Sequence, residues 1–130
     1  MSKNLTSLKK TMSKTHNFRQ LKTWQKSRLL VKDIYLTTKK FPKEEIFGIT
    51  SQMRRAVISI PSNIAEGCGR GTNPQLAQFL DIANGSSCEL EAQVYLSYDL
   101  LYIEQIEFDN LLEKINEVQK MIISFKNTLN

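Results

Sequence analysis

The feature that most constrains how this chain can fold is a recurrence of apolar residues at every third or fourth position. The recurrence is clearest over the last quarter of the sequence, where the apolar row consists of Phe108, Leu111, Ile115, Val118, Ile122, Phe125 and Leu129. This spacing puts the side chains on one side of an α-helix and is typical of helices that pack lengthwise against each other. The pattern predicts a helix over about residues 105–128.

Three earlier segments have the same period and are separated by residues that break helices. They predict helices over about residues 21–40, 42–66 and 74–102. Phe41-Pro42 ends the first, because the residue before a proline disfavours the α conformation, and Asn73-Pro74 supplies a cap and a first-turn proline for the third. Four helices of this length joined by short connections predict an all-α, antiparallel up-and-down four-helix bundle.

The second predicted helix contains the most distinctive stretch, Ser51–Gly71. Its inner row is expected to consist of Ile46, Ile49, Met53, Ala56, Ile60 and Ile64. A proline in a helix interior removes one hydrogen bond at a cost of roughly 3 kcal/mol, so a kink is predicted at Pro61, with Asn63 among the polar neighbours that compensate. We expect the helix to end at Gly67 in a left-handed cap. The following GCGRG segment is not a phosphate loop, because it follows a helix and lacks the Lys-Ser/Thr pair.

The third predicted helix has a small middle and an apolar end. The small residues of Ala83–Ser87 predict close approach to a neighbouring helix, since a mid-helix glycine costs about 1 kcal/mol against alanine. Beyond them, apolar residues occupy more than one side of the helix, which a monomeric bundle cannot bury. We therefore predict a homo-oligomer, with an interface that consists of Trp24, Tyr95, Tyr98, Tyr102, Leu96 and Leu100. Trp24 has two alternative roles, which are to anchor the core or to stack on a base.

Charge is distributed unevenly along the chain. Residues 1–40 carry 11 Lys or Arg and one acid, whereas residues 41–130 carry 7 Lys or Arg and 12 acids. Such a basic segment indicates an anionic partner, with RNA or DNA favoured over a membrane surface. The candidate phosphate-binding residues are Lys22, Lys26, Arg28, Lys32, Lys39, Lys40, Arg54, Arg55 and Arg70. Arg54 and Arg55 have an alternative role, which is to pair with acids such as Glu89 or Glu91.

The sequence indicates no catalytic or metal site. Its one histidine, His16, falls in residues 1–19, a segment expected to be a flexible basic arm, and no Arg precedes it as a helical-bundle ribonuclease requires. Glu89 and Glu91 are two residues apart and point to different sides of a helix, which makes a poor acid–base pair. We predict a protein that is not an enzyme and has no cofactor.

Cysteine use and hydropathy indicate the cytoplasm. Cys68 and Cys88 are expected to be free thiols, because a disulfide framework needs more cysteines. No apolar run approaches the roughly 18 residues that a membrane span needs. The first residues lack the apolar segment of a secretory signal, so we expect no export and no membrane association.

Three segments resemble a known family. They are TWQKSRLLVKDIY, TKKFPKEEIFGITSQMRRAVISIPSNIAEGCGR and FLDIANGSSCELEAQV, which lie between Leu21 and Ile103 and cover about two thirds of the chain. They resemble the four-helix-bundle proteins encoded by intervening sequences in bacterial large-subunit ribosomal RNA genes, and SIPSNIAEG is the most specific of the matching motifs.

That family is similar to the accessory variability proteins of diversity-generating retroelements, which form basic pentameric barrels that bind nucleic acid and a reverse transcriptase. The resemblance implies a pentamer with RNA or DNA as ligand and a reverse transcriptase or ribosomal component as partner. The acidic remainder of the chain, especially the fourth predicted helix, departs from the uniformly basic surface of those barrels. A protein–protein adaptor that does not bind nucleic acid directly remains the alternative function.

Overall fold

The computed structural model describes residues 16–129 and confirms the all-α four-helix bundle. The helices are α1 Lys22–Thr38, α2 Ile49–Cys68, α3 Asn73–Asp99 and α4 Gln105–Asn127, with short 3₁₀ helices at Phe18–Gln20 and Lys43–Glu45. Helix α1 packs on α2, α2 on α3, α3 on α4, and α4 back on α1. No strand occurs within residues 16–129.

The core forms where the four apolar rows meet. Side chains with no exposed surface come from every helix and include Ile34, Met53, Ile60, Ile64, Leu80, Leu90 and Ile115. The row predicted for α4 is buried from Phe108 to Ile122, and Phe125 and Leu129 pack against its end. The periodicity of the sequence therefore identified the inward side of α4.

Helix α2 begins later than predicted. The expected start at Pro42 is wrong: residues Lys43–Glu45 form a 3₁₀ helix, and α2 begins at Ile49 after Gly48, whose φ is −107° and ψ −123°. Ile46, placed on the inner row by the sequence, is 47% exposed. A glycine is costly inside a helix, and here its backbone turns the chain between the two helical pieces.

The expected left-handed cap at Gly67 is also wrong. No glycine among residues 16–129 has a positive φ, and Gly67 is a buried residue within α2, which continues to Cys68. A Cβ added at Gly67 would lie 2.8 Å from Leu76 Cδ1 and 2.8 Å from Phe79 Cβ. The absence of a side chain thus lets α2 and α3 approach closely.

The small middle of α3 makes its close contact through serine and alanine. Ser86 Oγ lies 2.8 Å from Ser59 Oγ of α2, and Ala83 and Ser87 are fully buried. Gly85 is not part of this contact, since a Cβ there would meet nothing within 4 Å. Pro61 lies inside α2, where Asn63 Nδ2 donates to Ser59 O at 2.8 Å.

Helix α3 ends at Asp99, three residues before the predicted end, and the chain then turns through Leu101, whose φ is 63°. Tyr102 folds back on the α1–α2 connection: its ring centroid lies 5.2 Å from that of Phe41, and its hydroxyl donates to Glu45 Oε2 at 2.7 Å. This hydrogen bond to a carboxylate is the main cause that raises the pKa of Tyr102. We call this end of the molecule, where both connections meet, the loop end.

The last residues of the N-terminal arm predicted over residues 1–19 belong to the folded part of the chain. Residues 1–15 lie outside the described residues, but Phe18 belongs to a 3₁₀ helix and packs edge-to-face on Trp24 with ring centroids 4.9 Å apart. The His16 ring lies 5.4 Å from that of Phe125, near the end of α4. Phe18 and Arg19, which the sequence assigned to the flexible arm, therefore belong to a 3₁₀ helix that packs on α1.

The glycines of α2 and α3 provide a matched stability test. Gly67→Ala should destabilise the fold by about 1–3 kcal/mol, because Leu76 and Phe79 must move to admit the methyl group. Gly85→Ala should stabilise it by about 0.5–1 kcal/mol, because the new methyl group meets open space in a helix interior. Urea unfolding with equal m-values measures both changes. A Gly67→Ala protein as stable as the wild type would contradict the close approach.

Candidate nucleic-acid interface

The basic residues around α1 divide into two groups according to the neighbouring helix. On the α4 side, Lys26 Nζ lies 3.2 Å from Glu117 Oε1 and Lys40 Nζ lies 2.9 Å from Glu107 Oε2. On the same side Lys114 of α4 lies 3.0 Å from Asp33 of α1. Carboxylates therefore neutralise the cations along the seam between α1 and α4.

Three further cations of α1 have no such partners within residues 16–129, and one of them, Lys32, also borders a groove between α1 and α4. Arg28, Lys32 and Lys39 are exposed, and their spacing of four and seven residues puts them on one side of the helix. None of the three forms an ion pair with an acid among residues 16–129. Lys22, at the start of α1, is likewise exposed and has no ion pair within that part of the chain.

Helix α2 extends this unneutralised surface. Its single acid, Glu66, pairs with Arg70 at 3.2 Å, and the single acid of α1, Asp33, faces α4. Arg55 is exposed and forms no ion pair within residues 16–129. We define the α1–α2 face as Arg28, Lys32, Lys39, Arg54 and Arg55.

Arg54 ties the two helices of this face together. Its Nε donates to Thr38 Oγ1 at 3.0 Å, and its guanidinium carbon lies 4.5 Å from the centroid of the Tyr35 ring. The ion pairs expected with α3 are absent: Glu89 accepts a hydrogen bond from Gln93 at 3.3 Å and Glu91 one from Gln119 at 2.9 Å. The acids of α3 are thus engaged on their own helix and on α4.

Arg70 lies outside the α1–α2 face. It follows α2 in the connection to α3, pairs with Glu66, and places its guanidinium carbon 4.7 Å from the centroid of the Phe79 ring. Three of the nine candidate cations, Lys26, Lys40 and Arg70, therefore have carboxylate partners. The sequence could not separate these from the others, because two of the three pairs join residues far apart in the chain.

An apolar groove of about 360 Å³ lies between α1 and α2 within this face. Its walls are formed by Phe18, Trp24, Val31, Ile58, Pro61 and Ala65, with Arg28 and Ser62 as its polar lining. The Arg28 guanidinium carbon lies 5.3 Å from the centroid of the Trp24 ring. Trp24, expected at an oligomer interface, is half-buried here against its own chain. We call this cavity the Trp24 groove.

The remaining residues of the predicted oligomer interface differ in exposure. Leu96 is 52% exposed, Leu100 50% and Tyr95 49%. Tyr98 instead packs on Phe108 with ring centroids 4.5 Å apart, and its hydroxyl donates to Gln105 Oε1 at 2.6 Å. Tyr102 is occupied at the loop end by Phe41 and Glu45. The tyrosines Tyr98 and Tyr102 thus contact residues within the chain, while the leucines face solvent.

Sequence reasoning missed the apolar side chains of the loop end. Phe47 is 92% exposed, Leu101 88% and Ile106 78%. All three lie within helices that the sequence predicted. Leu101 was expected on the inner row of the third helix, and this expectation is wrong, because α3 ends at Asp99 and Leu101 has a positive φ.

Other chemistry on the described residues is sparse. Cys68 and Cys88 are both free thiols, and burial raises the pKa of the Cys68 thiol. Within residues 16–129 no three His, Cys, Asp or Glu side chains come together in a way that could hold a metal ion. Over the same residues, no helix combines the length and apolarity required to cross a bilayer.

The fold and this surface define an all-α four-helix bundle with a cationic face. The sequence profile of the 23S rRNA-intervening sequence protein family matches residues 19–124, so the chain belongs to that family. A crystal structure of a protein with unknown function from the S23 ribosomal protein family of Bacteroides thetaiotaomicron has the same fold, with a TM-score of 0.75 and 23% identity. That match covers 80% of this chain and 97% of the other. No curated protein matches the chain.

Proposed function

We propose that this protein is a non-catalytic homo-oligomer that binds RNA or DNA through the α1–α2 face. The observation that carries the proposal is the segregation of charge around α1. Lys26 and Lys40 are neutralised by α4, whereas Arg28, Lys32 and Lys39 face outward without acid partners. A surface of cations with no competing carboxylates is what a polyanion requires.

Binding through this face is electrostatic. Lysine and arginine side chains contact phosphates and release condensed counterions, which gives affinity without much sequence discrimination. Arg54 has a different role, because its contacts to Thr38 and Tyr35 hold the two basic helices at a fixed spacing. Phosphate contacts therefore fall mainly to Arg28, Lys32, Lys39 and Arg55.

The family supports RNA as one ligand. Its name refers to intervening sequences of 23S ribosomal RNA, and the structural neighbour is placed in a ribosomal protein family. A ribosomal component or a retroelement reverse transcriptase is a partner consistent with this proposal, and the cytoplasm is the compartment where either would be met.

Oligomer formation would bury two different apolar patches. One lies on α3 and consists of Ile82, Leu96 and Leu100, each about half exposed. The other is a groove of about 450 Å³ between α1 and α4, where Leu29 is 59% and Leu36 55% exposed. Because the patches are not the same surface, pairing one with the other gives a head-to-tail contact, and such contacts form a ring, for example a pentamer, when their rotation closes.

The alternative function is that of a protein–protein adaptor, and the loop end favours it. Phe47, Leu101 and Ile106 are almost fully exposed there, beside the carboxylates of Glu44 and Glu104. A polyanion would be repelled from this surface, whereas a cationic, apolar protein segment would fit it. Two results would favour this function over nucleic-acid binding. A protein partner should stay bound after nuclease treatment, and it should no longer bind the Leu101→Ser/Ile106→Ser variant.

The nucleic-acid proposal predicts unequal effects of two double variants with equal charge. Lys32→Ala/Lys39→Ala should weaken binding to a labelled RNA several-fold and reduce the slope of log affinity against log salt by about 1.4, since each lost phosphate contact to a single strand contributes about 0.7. Lys26→Ala/Lys40→Ala removes the same charge from residues already paired with Glu117 and Glu107, and should change the slope little. Fluorescence anisotropy over a range of salt concentrations measures both.

Two results would contradict this proposal. Equal losses in the two double variants would show that net charge alone, and not the α1–α2 face, governs binding. An affinity that does not change between low and high salt would exclude phosphate contacts as its main source.

The oligomer proposal predicts that Leu96→Glu/Leu100→Glu yields a folded monomer. Both side chains are half exposed in the single chain, so the charges cost the fold little but are excluded from a buried interface. Ile123→Glu, a change at a residue of α4 that is 47% exposed, is the control and should leave the assembly intact. Light scattering coupled to size exclusion gives the masses. An unchanged assembly in the double variant would place the interface elsewhere.

A further inference from the structure

We propose that the Trp24 groove receives an unpaired base, so that the protein prefers single-stranded nucleic acid to a duplex. The inference rests on the proposed nucleic-acid binding and adds the class of ligand. The lining of the groove combines apolar side chains of α1 and α2 with Arg28, a cation of the α1–α2 face. A ligand that fits both features is anionic along its backbone and carries flat apolar rings.

The walls of the groove suit a nucleobase. Trp24 and Phe18 contribute aromatic rings from one side, and Ile58 and Pro61 contribute aliphatic surface from α2. Stacking of a base on an aromatic side chain is worth about 1–3 kcal/mol and tolerates any sequence, because every base has a π face. The groove is therefore suited to a base without selecting which one.

The border of the groove suits the phosphates that flank such a base. The Arg28 guanidinium already lies over the Trp24 ring, where it can contact a phosphate or the edge of an entering base. Lys32 lies one turn further along α1, and Arg55 lies one turn before Ile58 on α2. One cation thus lines the cavity itself, and a further cation lies one turn away along each of the two helices.

A duplex cannot use this groove. Its bases are stacked on each other and paired, so only their edges are accessible, whereas a single strand can turn a base outward. The phosphates of a duplex still bind the cations of the face. The groove should therefore add affinity for single strands on top of an electrostatic contribution common to both forms.

The test uses the full chain and its only tryptophan. A single-stranded oligonucleotide without self-complementarity should quench the emission of Trp24 and bind roughly tenfold more tightly than the blunt duplex of the same sequence. Excitation selective for tryptophan excludes the 4 tyrosines. Anisotropy of a label on the nucleic acid reports affinity independently of the tryptophan.

A variant in which a side chain fills the Trp24 groove tests this inference independently of the proposed function. Ser62→Phe places a ring in the cavity from an exposed position of α2, and should remove the preference for single strands while leaving duplex affinity unchanged. Gln52→Phe adds the same ring to an exposed position of α2 that does not line the groove, and should leave the preference intact. Circular dichroism verifies that both variants fold.

The outcomes are distinguishable. Equal affinity for both forms with no quenching of Trp24 would overturn the groove proposal and leave binding through the α1–α2 face standing. Quenching that persists unchanged in Ser62→Phe would also overturn it. No binding of either form would overturn the groove proposal and the proposed function together.

Discussion

The close packing of α2 against α3 is the contact on which the rest of this structure depends. Gly67 lets Leu76 and Phe79 lie against the α2 backbone, and the Ser59–Ser86 contact keeps the same two helices close further along. A third contact, from Ser97 Oγ to Met53 Sδ at 3.4 Å, lies towards the loop end. Small residues at three levels thus fix the spacing of α2 and α3, and α1 and α4 complete the core around them.

The function proposed here follows from which helix each side of α1 faces. The cations of α1 do not by themselves define a binding surface. The helices packed beside them determine which cations are neutralised by carboxylates and which are not. Helix α4 places Glu107 and Glu117 beside Lys40 and Lys26, while the single acid of α2, Glu66, pairs with Arg70 beyond the end of that helix. The same bundle geometry that buries the apolar rows therefore concentrates positive charge on one face and cancels it on another.

The sequence predicted the fold well where one rule dominates. The apolar row of α4 identified that helix and its inward side, and the proline at residue 74 marked the start of α3, because periodicity and capping act locally. The sequence-based prediction failed where a residue's role depends on side chains that are distant in the sequence. Gly67 was expected to cap a helix, but its role is set by Phe79, and Gly48 rather than Pro42 precedes α2.

The candidate site divides in the same way. All of its cations were identified from composition, yet their pairing could not be, because Lys40 meets an acid 67 positions away. The Trp24 groove could not be predicted from the sequence either, because it forms only where Ile58 and Pro61 of α2 lie beside Trp24 of α1. The exposure of Phe47 was missed because the sequence extended the second helix over it, whereas α2 begins only at Ile49.

The ion-paired seam between α1 and α4 has a consequence for how the bundle opens. Exposed pairs such as Lys26–Glu117 contribute only about 0–1 kcal/mol each, and a groove of about 450 Å³ interrupts the apolar contact beside them. Transient separation should therefore begin along this seam, so amide protons nearby exchange with solvent earlier than those between α2 and α3. Because α1 remains attached to α2 through Arg54, the cationic face belongs to the part of the molecule that opens last.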